Sequence, residues 1–141
     1  MEIKNKKAYF NYFVESEIEA GIALVGTEIK SVRKGSVDLS DSYIRIKDNE
    51  AFVINMFIDT YNEASIFNHN STRERKILLH KKEIKKLSET REKDGYSLIP
   101  LKMYFKNGKA KLLIGICKGK KIYDKREAIK ERDLKRENRR V

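Results

Sequence analysis

The chain has 141 residues, enough for one domain with an ordinary hydrophobic core, and a formal net charge of +11 at pH 7. Such a balance favours a phosphate-rich partner, with nucleic acid first and an anionic membrane surface second. The single cysteine, Cys117, cannot form an internal disulfide, and no apolar run could span a bilayer or form the core of a signal peptide. We therefore expect a soluble cytosolic protein without a membrane partner, which excludes disulfide-stabilised secreted domains.

The first third of the chain predicts two strands and a helix. Aromatic and β-branched residues alternating over residues 7–14 are typical of a strand, and residues 20–25 predict a second one. Thr27 can cap a short helix after them, and Gly35 can end it.

The middle of the chain predicts a hairpin followed by a loop. Residues 42–47 and 51–57 alternate in the strand manner, and residues 48–50 form the turn between them. Residues 59–76 are polar and irregular, which indicates a mobile loop. A brief strand over residues 77–79 is expected next.

The strongest local signal is in the last part of the body of the chain. A helix is predicted over residues 80–91, with Ile84 and Leu87 facing inward. The dipeptide Asn107-Gly108 then joins two alternating runs, which predicts a tight hairpin because both turn positions favour positive φ. Pro100 should lie at an edge or a bulge, since it cannot donate a hydrogen bond to a neighbouring strand.

These elements predict a mainly β fold: a small antiparallel barrel of about six strands, of the oligonucleotide-binding (OB) kind, with two or three short helices. The predicted boundary separates a barrel over residues 1–118 from a basic tail over residues 119–141. The segment 118–141 has eleven Lys or Arg against five Asp or Glu, a net charge of +6. A general enrichment in lysine is the alternative source of the charge, but it does not explain this concentration. Too few apolar residues are present in the tail to order it alone, although its composition favours a helix on a polyanion.

Catalytic and metal-binding chemistry is not indicated. His69, His80 and Cys117 have no metal-ligand spacing, and a lone strand cysteine is far more often a small core residue than a nucleophile. We therefore expect that the protein is not an enzyme and that it has no cofactor. The residues instead favour RNA binding. Lysines at 4, 6 and 7 adjoin aromatic residues, so that cations could contact phosphates while rings stack on unpaired bases. The alternative is that these rings simply fill the barrel. Glu19 is either a plain surface charge or an acceptor that fixes a binding loop.

Six ordered segments give the chain a specific resemblance. They are Asn5-Lys-Lys-Ala8, Glu19-Ala-Gly-Ile22, Gly26 to Gly35, Leu39-Ser-Asp-Ser-Tyr43, Arg73 to Leu79, and Gly119 to Arg126 with Ile129-Lys-Glu-Arg132. The series resembles the SsrA-binding protein family (small protein B), the bacterial partner of transfer-messenger RNA, and it covers essentially the whole chain.

The resemblance implies a role in trans-translation, the rescue of ribosomes stalled on a broken message. In that family the barrel holds the tRNA-like domain of transfer-messenger RNA and replaces its missing anticodon arm. The tail enters the 16S rRNA decoding centre and the empty mRNA channel of the ribosome. Elongation factor Tu is implied as an indirect partner, through the charged RNA.

The resemblance also assigns residues to the two roles. The transfer-messenger RNA contacts correspond to Asn5, Glu19 and Leu78, and the predicted RNA site also includes Lys6, Lys7 and Lys76. The predicted ribosome-binding residues of the tail are Gly119, Lys120, Lys121, Tyr123, Asp124, Lys125, Arg126, Ile129, Lys130 and Arg132.

Two other functions compete with this interpretation. A generic single-stranded nucleic-acid module of the cold-shock type would show site-size behaviour on homopolymers and stacking by surface aromatics. An enzyme of nucleic-acid metabolism would depend on Cys117, His69 or His80. The inserted helices, Glu19 and the long tail argue against the first alternative.

Overall fold

A computed structural model describes residues 2–60, 69–91 and 95–120. The helices and strands in these ranges are, in chain order, β1 (Glu2–Lys4), α1 (Lys6–Asn11), β2 (Tyr12–Ile22), α2 (Gly26–Arg33), β3 (Val37–Asp38), β4 (Tyr43–Lys47), β5 (Glu50–Ile54), β6 (Phe57–Ile58), β7 (Arg75–Leu78), α3 (Lys81–Arg91), β8 (Tyr96–Lys106) and β9 (Lys109–Gly119). None of the helices in this part of the chain is long and apolar enough to cross a membrane.

Seven strands form one antiparallel sheet in the order β1-β8-β9-β2-β7-β5-β4, and β3 pairs with β6 in a separate ribbon. Strand β4 also lies close to β8, so the sheet curls into a partly closed barrel. The prediction of a mainly β antiparallel fold with a few short helices is confirmed. The described strands outnumber the predicted six because β1, β3 and β6, which have only two or three residues each, escaped the sequence analysis.

The strand predicted over residues 7–14 is wrong, because most of this segment is α1. Asn5 caps the helix: its side-chain Oδ1 accepts a hydrogen bond from the Ala8 backbone N–H at 3.1 Å. The Asn5 amide is held by the carbonyls of Leu39 and Pro100, at 3.0 and 2.8 Å. Three long-range or capping bonds to one buried side chain thus outweigh the strand propensity of the aromatic residues.

Helix α2 is confirmed, but its cap differs from the predicted one. The helix begins at Gly26, before Thr27, and the Val25 backbone N–H donates to the carboxylate of Glu28 at 3.0 Å. The helix ends as predicted at Gly35, whose φ of +77° is easily adopted only by glycine. The Gly35 and Ser36 backbone N–H groups donate to the carbonyls of Val32 and Ser31, which is a Schellman motif.

Both predicted hairpin turns are confirmed. Asp48 and Asn49 have positive φ between β4 and β5, as do Asn107 and Gly108 between β8 and β9. Pro100 lies where the β8–β9 register shifts, as predicted for a residue without an N–H.

Three predicted boundaries need correction. Of the strand predicted over residues 20–25, residues 20–22 are the end of the longer β2 and residues 23–25 lie outside any strand. The strand predicted over residues 51–57 breaks at Asn55, which has a φ of +58°. The brief strand at residues 77–79 begins earlier, as β7. Helix α3 begins at Lys81 and has Ile84 and Leu87 buried as predicted.

The core has two parts. The larger part fills the barrel and includes Val53, Ile77, Met103 and Ile114, none of which is more than 1% exposed. The smaller part lies under α1 and contains Ala8, Ile99, Leu101 and Cys117. Residues of β8 and β9 contribute to both parts, so these two strands connect α1 to the barrel.

A buried ion cluster joins α2 to β7. Glu28 and Arg75 are fully buried, and Arg75 Nε lies 2.5 Å from Glu28 Oε2. Arg73 Nη2 contacts the other carboxylate oxygen, also at 2.5 Å. Arg75 in turn donates to the backbone carbonyls of Met56, Asn70 and Ser71. Burial alone would raise the pKa of Glu28, but the hydrogen bonds from Arg73, Val25 and Arg75 lower it below its ordinary value.

We predict that Glu28→Gln lowers the free energy of unfolding by about 3–5 kcal/mol, because it leaves the buried Arg75 charge without its partner. Denaturant titration measures the change. The surface pair Lys76–Glu50 is the control, and Glu50→Gln should cost less than about 1 kcal/mol. Because the Glu28 pKa is lowered by folding, its contribution is present above the ordinary pKa of 4.5 and is lost as the pH falls through the lowered value. Equal effects of the two variants at pH 7 would contradict this assignment.

Candidate nucleic-acid interface

An open groove of about 620 Å³ crosses the outer surface of the barrel where β2 meets β7. Three of the predicted RNA-binding residues, Glu19, Lys76 and Leu78, line it together. The sheet register explains this convergence: Gly21 of β2 pairs with Leu78 of β7 on one side and with Lys111 of β9 on the other. Residues that are distant in sequence are therefore brought to one site by strand pairing.

Gly21 allows the two strands to carry an exposed apolar residue at the centre of the groove. A Cβ atom at position 21 would lie only 3.2 Å from the Leu78 Cβ. Leu78 remains 54% exposed, which is a large fraction for a leucine in a sheet. The centre of the groove thus offers apolar contact area next to charged groups.

Glu19 is oriented by its neighbours. The Tyr104 hydroxyl donates a hydrogen bond to Glu19 Oε2, and Lys106 Nζ lies 3.5 Å from Glu19 Oε1. The hydrogen bond from Tyr104, followed by the charge of Lys106, lowers the pKa of Glu19, while burial and Glu19 raise the pKa of Tyr104 to about 12. Glu19 is therefore an ionised acceptor of fixed orientation at neutral pH, held by Tyr104 on a neighbouring strand.

The sequence analysis missed several residues of the groove. They include Asn49 of the β4–β5 turn, Glu50 at the start of β5, His80 just before α3 and Lys81 at the start of that helix. The two residues that orient Glu19 were also missed. Alternation along β8 places Tyr104 and Lys106 on one face of the strand, which was the available signal, but only the pairing of β2 with β9 and β9 with β8 shows that Glu19 is their neighbour.

The other predicted RNA-binding residues lie elsewhere. Asn5 is only 1% exposed, and its side chain is engaged in capping α1 and in bonds to the Leu39 and Pro100 carbonyls, so it holds this helix in place. Lys6 and Lys7 are exposed on α1, and Lys7 Nζ contacts Asp41 at 2.7 Å. About 20 Å of strand separates Tyr12, which follows α1, from Glu19 in the groove. The structure thus divides the predicted site into two surfaces.

The second surface is an aromatic patch formed by Tyr9, Phe10 and Phe13. The three rings are 39, 73 and 51% exposed, so the interpretation that the aromatic residues of this segment fill the barrel is wrong for them. Lys120 Nζ lies 5.1 Å from the centre of the Phe13 ring, and the Lys120 backbone N–H donates to the Asn11 carbonyl at 3.0 Å. The patch therefore adjoins the point where the predicted tail begins.

Of the predicted tail residues, the structure describes only Gly119 and Lys120. Gly119 is the last residue of β9 and pairs with Tyr12, so the first residue of the predicted tail belongs to the sheet. The remaining predicted tail residues lie outside the described part of the chain: Lys121, Tyr123, Asp124, Lys125, Arg126, Ile129, Lys130 and Arg132.

Cys117 and His69, two of the side chains considered for catalysis, each have a structural environment of their own. Cys117 is fully buried in the smaller core, and burial raises the pKa of its thiol to about 11. His69 is engaged by the Thr27 hydroxyl and the Ile58 carbonyl, at 2.9 and 3.0 Å. Within residues 2–60, 69–91 and 95–120, no group of three His, Cys, Asp or Glu side chains could hold a metal ion.

Together, the fold and the groove define a small, basic β-barrel protein with a binding surface of mixed charge. The chain belongs to the SmpB protein family, whose model matches residues 2–141. The resemblance found in the sequence is thereby confirmed.

Individual relatives agree with this membership. An SsrA-binding protein of Treponema denticola is 54% identical over 134 residues, which cover 95% of this chain and 87% of that protein. One from Staphylococcus haemolyticus is 55% identical over 134 residues, with 95 and 86% covered. Among solved structures, a chain described under "tmRNA-SmpB: a journey to the center of the bacterial ribosome" is 42% identical, with a TM-score of 0.76 over 91% of this chain and 94% of that one.

We predict that the Cys117 thiol of the native protein reacts with a thiol reagent at pH 8 at least about tenfold more slowly than after unfolding. Burial both shields the sulfur and holds its pKa near 11, so little thiolate forms. Absorbance of the released chromophore measures the rate, with the denatured chain as the control. Equal rates in the native and the denatured chain would contradict the burial of the thiol and would favour a role of Cys117 as a nucleophile.

Proposed function

We propose that this chain binds the tRNA-like domain of transfer-messenger RNA and delivers it to stalled ribosomes for trans-translation. The single observation that carries the proposal is the groove, where the fixed carboxylate of Glu19, the apolar Leu78 and the cation of Lys76 converge on a chain of net charge +11. Membership of the family whose relatives are SsrA-binding proteins supports it.

The groove suits a folded RNA with exposed bases better than a plain duplex. A fixed carboxylate accepts hydrogen bonds from base amino groups but repels phosphates, so it favours places where a base edge is presented. Leu78 offers an apolar surface for the face of such a base, and Lys76 and Lys111 supply charge for the adjoining backbone. An RNA loop next to a short helical stem presents these features together.

The tail has a separate role in this proposal. The barrel, residues 1–118, stands in for the missing anticodon arm, and residues 119–141 enter the 16S rRNA decoding centre and the vacant mRNA channel. Release of counter-ions from rRNA offsets the cost of ordering this segment, whose net charge is +5. An mRNA in the channel would occupy the same space as the tail. The tail therefore distinguishes a stalled ribosome from a translating one by steric exclusion.

No covalent step is assigned to the protein in this scheme. It acts in the cytoplasm as an RNA-binding factor, and elongation factor Tu is its indirect partner through the aminoacylated RNA. Burial of Cys117 and the structural contacts of His69 support a non-enzymatic role.

We predict that Leu78→Asp and Glu19→Ala each weaken binding of a transcript of the tRNA-like domain by about tenfold or more, because loss of a central contact costs about 1.4 kcal/mol or more. Filter binding or calorimetry at moderate salt measures the affinity, and circular dichroism confirms the fold. Glu17→Gln is the matched control: it removes a carboxylate from the same face of β2, two residues away and outside the groove. Wild-type affinity in both groove variants, or equal affinity of the wild type for an unrelated RNA hairpin or a homopolymer, would contradict the proposal.

We predict that replacing Asp124, Lys125 and Arg126 together by alanine leaves affinity for the tRNA-like domain within about threefold but abolishes peptide tagging on stalled ribosomes. The reason is that the barrel supplies the RNA contacts and the tail supplies the ribosome contacts. The control replaces Lys135, Arg136 and Glu137, which carry the same net charge of +1. Normal tagging by the first variant would disprove this division of roles.

A further inference from the structure

Helix α3 has an outward face made of lysines. Lys81, Lys82, Lys85 and Lys86 are all exposed, while Ile84 and Leu87 are buried on the opposite side, where the helix packs on β8. We call the four residues the lysine ridge. The ridge is about 8 Å long at the helical rise of 1.5 Å per residue.

The ridge works against the stability of its own helix. Lys81 with Lys85, and Lys82 with Lys86, are like-charge pairs four residues apart, which destabilise a helix. Lys81 and Lys82 also lie in the first turn, where the helix dipole disfavours cations. The ion pairs found within the described residues involve none of the four lysines, and Glu83, the acid of the first turn, accepts a hydrogen bond from the His80 backbone N–H at 3.0 Å. Such a concentration of charge is stabilised when an external anion covers it.

The position of the ridge connects it to the groove. His80 and Lys81 line the groove, and the other three lysines follow along α3, away from β7. A polyanion that occupies the groove and continues past the start of α3 would therefore meet the ridge next. The ridge is a continuation of the groove surface rather than a separate site.

The chemistry of the ridge distinguishes among polyanions. Residues 81–91 contain no aromatic side chain, so the ridge cannot stack unpaired bases as single-stranded binders do. An anionic membrane would require an exposed apolar face, but the apolar residues of α3 are buried. Lysine ammonium groups without stacking partners suit phosphates whose bases are already paired.

We propose that the lysine ridge binds the phosphate backbone of a double-helical RNA segment that adjoins the loop held in the groove. This inference rests on the proposed function for the identity of the RNA, but not for the contact itself. The groove then reads the folded loop, and the ridge fixes the direction in which the neighbouring stem leaves the protein.

The test compares the double variant Lys82→Gln, Lys86→Gln with the control Lys47→Gln, Lys109→Gln. Both remove two exposed lysines, and neither control residue lines the groove or forms an ion pair within the part that the structure describes. Binding by the full chain is measured from 50 to 300 mM salt, a range that brackets the salt levels at which such contacts weaken. The two probes are a transcript of the tRNA-like domain and an unrelated RNA duplex of about 16 base pairs, the length that a double-stranded RNA-binding domain spans.

We expect the ridge variant to reduce the slope of log K against log salt by about one to two on both probes, since each lost phosphate contact removes about 0.9. The control should change the slope by less than about half of that. The proposal that the ridge binds phosphates would be contradicted if the slope of the ridge variant were unchanged on both probes. It would also be contradicted if the slope fell equally in the ridge variant and in the control. A third outcome separates the two proposals. If the wild type binds the tRNA-like domain no more tightly than the duplex, but the ridge variant still shows a smaller salt dependence on the duplex, the proposed function is contradicted and the phosphate contact of the ridge is supported.

Discussion

The fully buried contact between Glu28 and Arg75 fixes the relation of α2 to β7. A paired charge in a barrel of this size can be retained only if its hydrogen bonds are satisfied. Arg75 meets this condition through the backbone carbonyls of Met56, between β5 and β6, and of Asn70 and Ser71, before β7. Since β7 carries Lys76 and Leu78, the same cluster determines where the groove residues lie. The geometry of the groove therefore depends on an ion pair that is fully buried.

The groove and the aromatic patch are rigidly connected, but they differ in chemistry. In the groove, a carboxylate with a lowered pKa lies among lysines around one exposed leucine, which suits base edges and apolar base faces. At the far end of β2, Phe13 and Lys120 form a ring–cation contact at the first residues of the predicted tail. Strands β2, β8 and β9 span the distance between the two surfaces, so the pairing of these strands fixes the separation of the groove from the aromatic patch.

The sequence was sufficient where the signal is local. The turns at Asp48-Asn49 and Asn107-Gly108, the end of α2 at Gly35 and the buried face of α3 were all predictable, because positive φ and helical periodicity depend on a few neighbouring residues. The sequence-based prediction was wrong at α1. The Asn5 side chain that caps this helix is held by carbonyls 34 and 95 residues away, and no local pattern reveals them. Glu19 was singled out both from its position in the sequence and from the family resemblance, and Leu78 from the resemblance alone. Their convergence with Lys76 follows from strand pairing, which no short segment encodes.

The most direct test of the account follows backbone amide chemical shifts while the tRNA-like domain of transfer-messenger RNA is added to the full chain. If the groove binds the RNA, we expect the largest shifts at residues 19–21 of β2, residues 76–78 of β7 and the first turn of α3, the three segments that meet at the groove. Smaller shifts are expected around the hollow between Lys7 and Tyr43, at the opposite end of the barrel. Shifts concentrated at that hollow, with β7 unchanged, would contradict the claim that the groove is the RNA-binding surface.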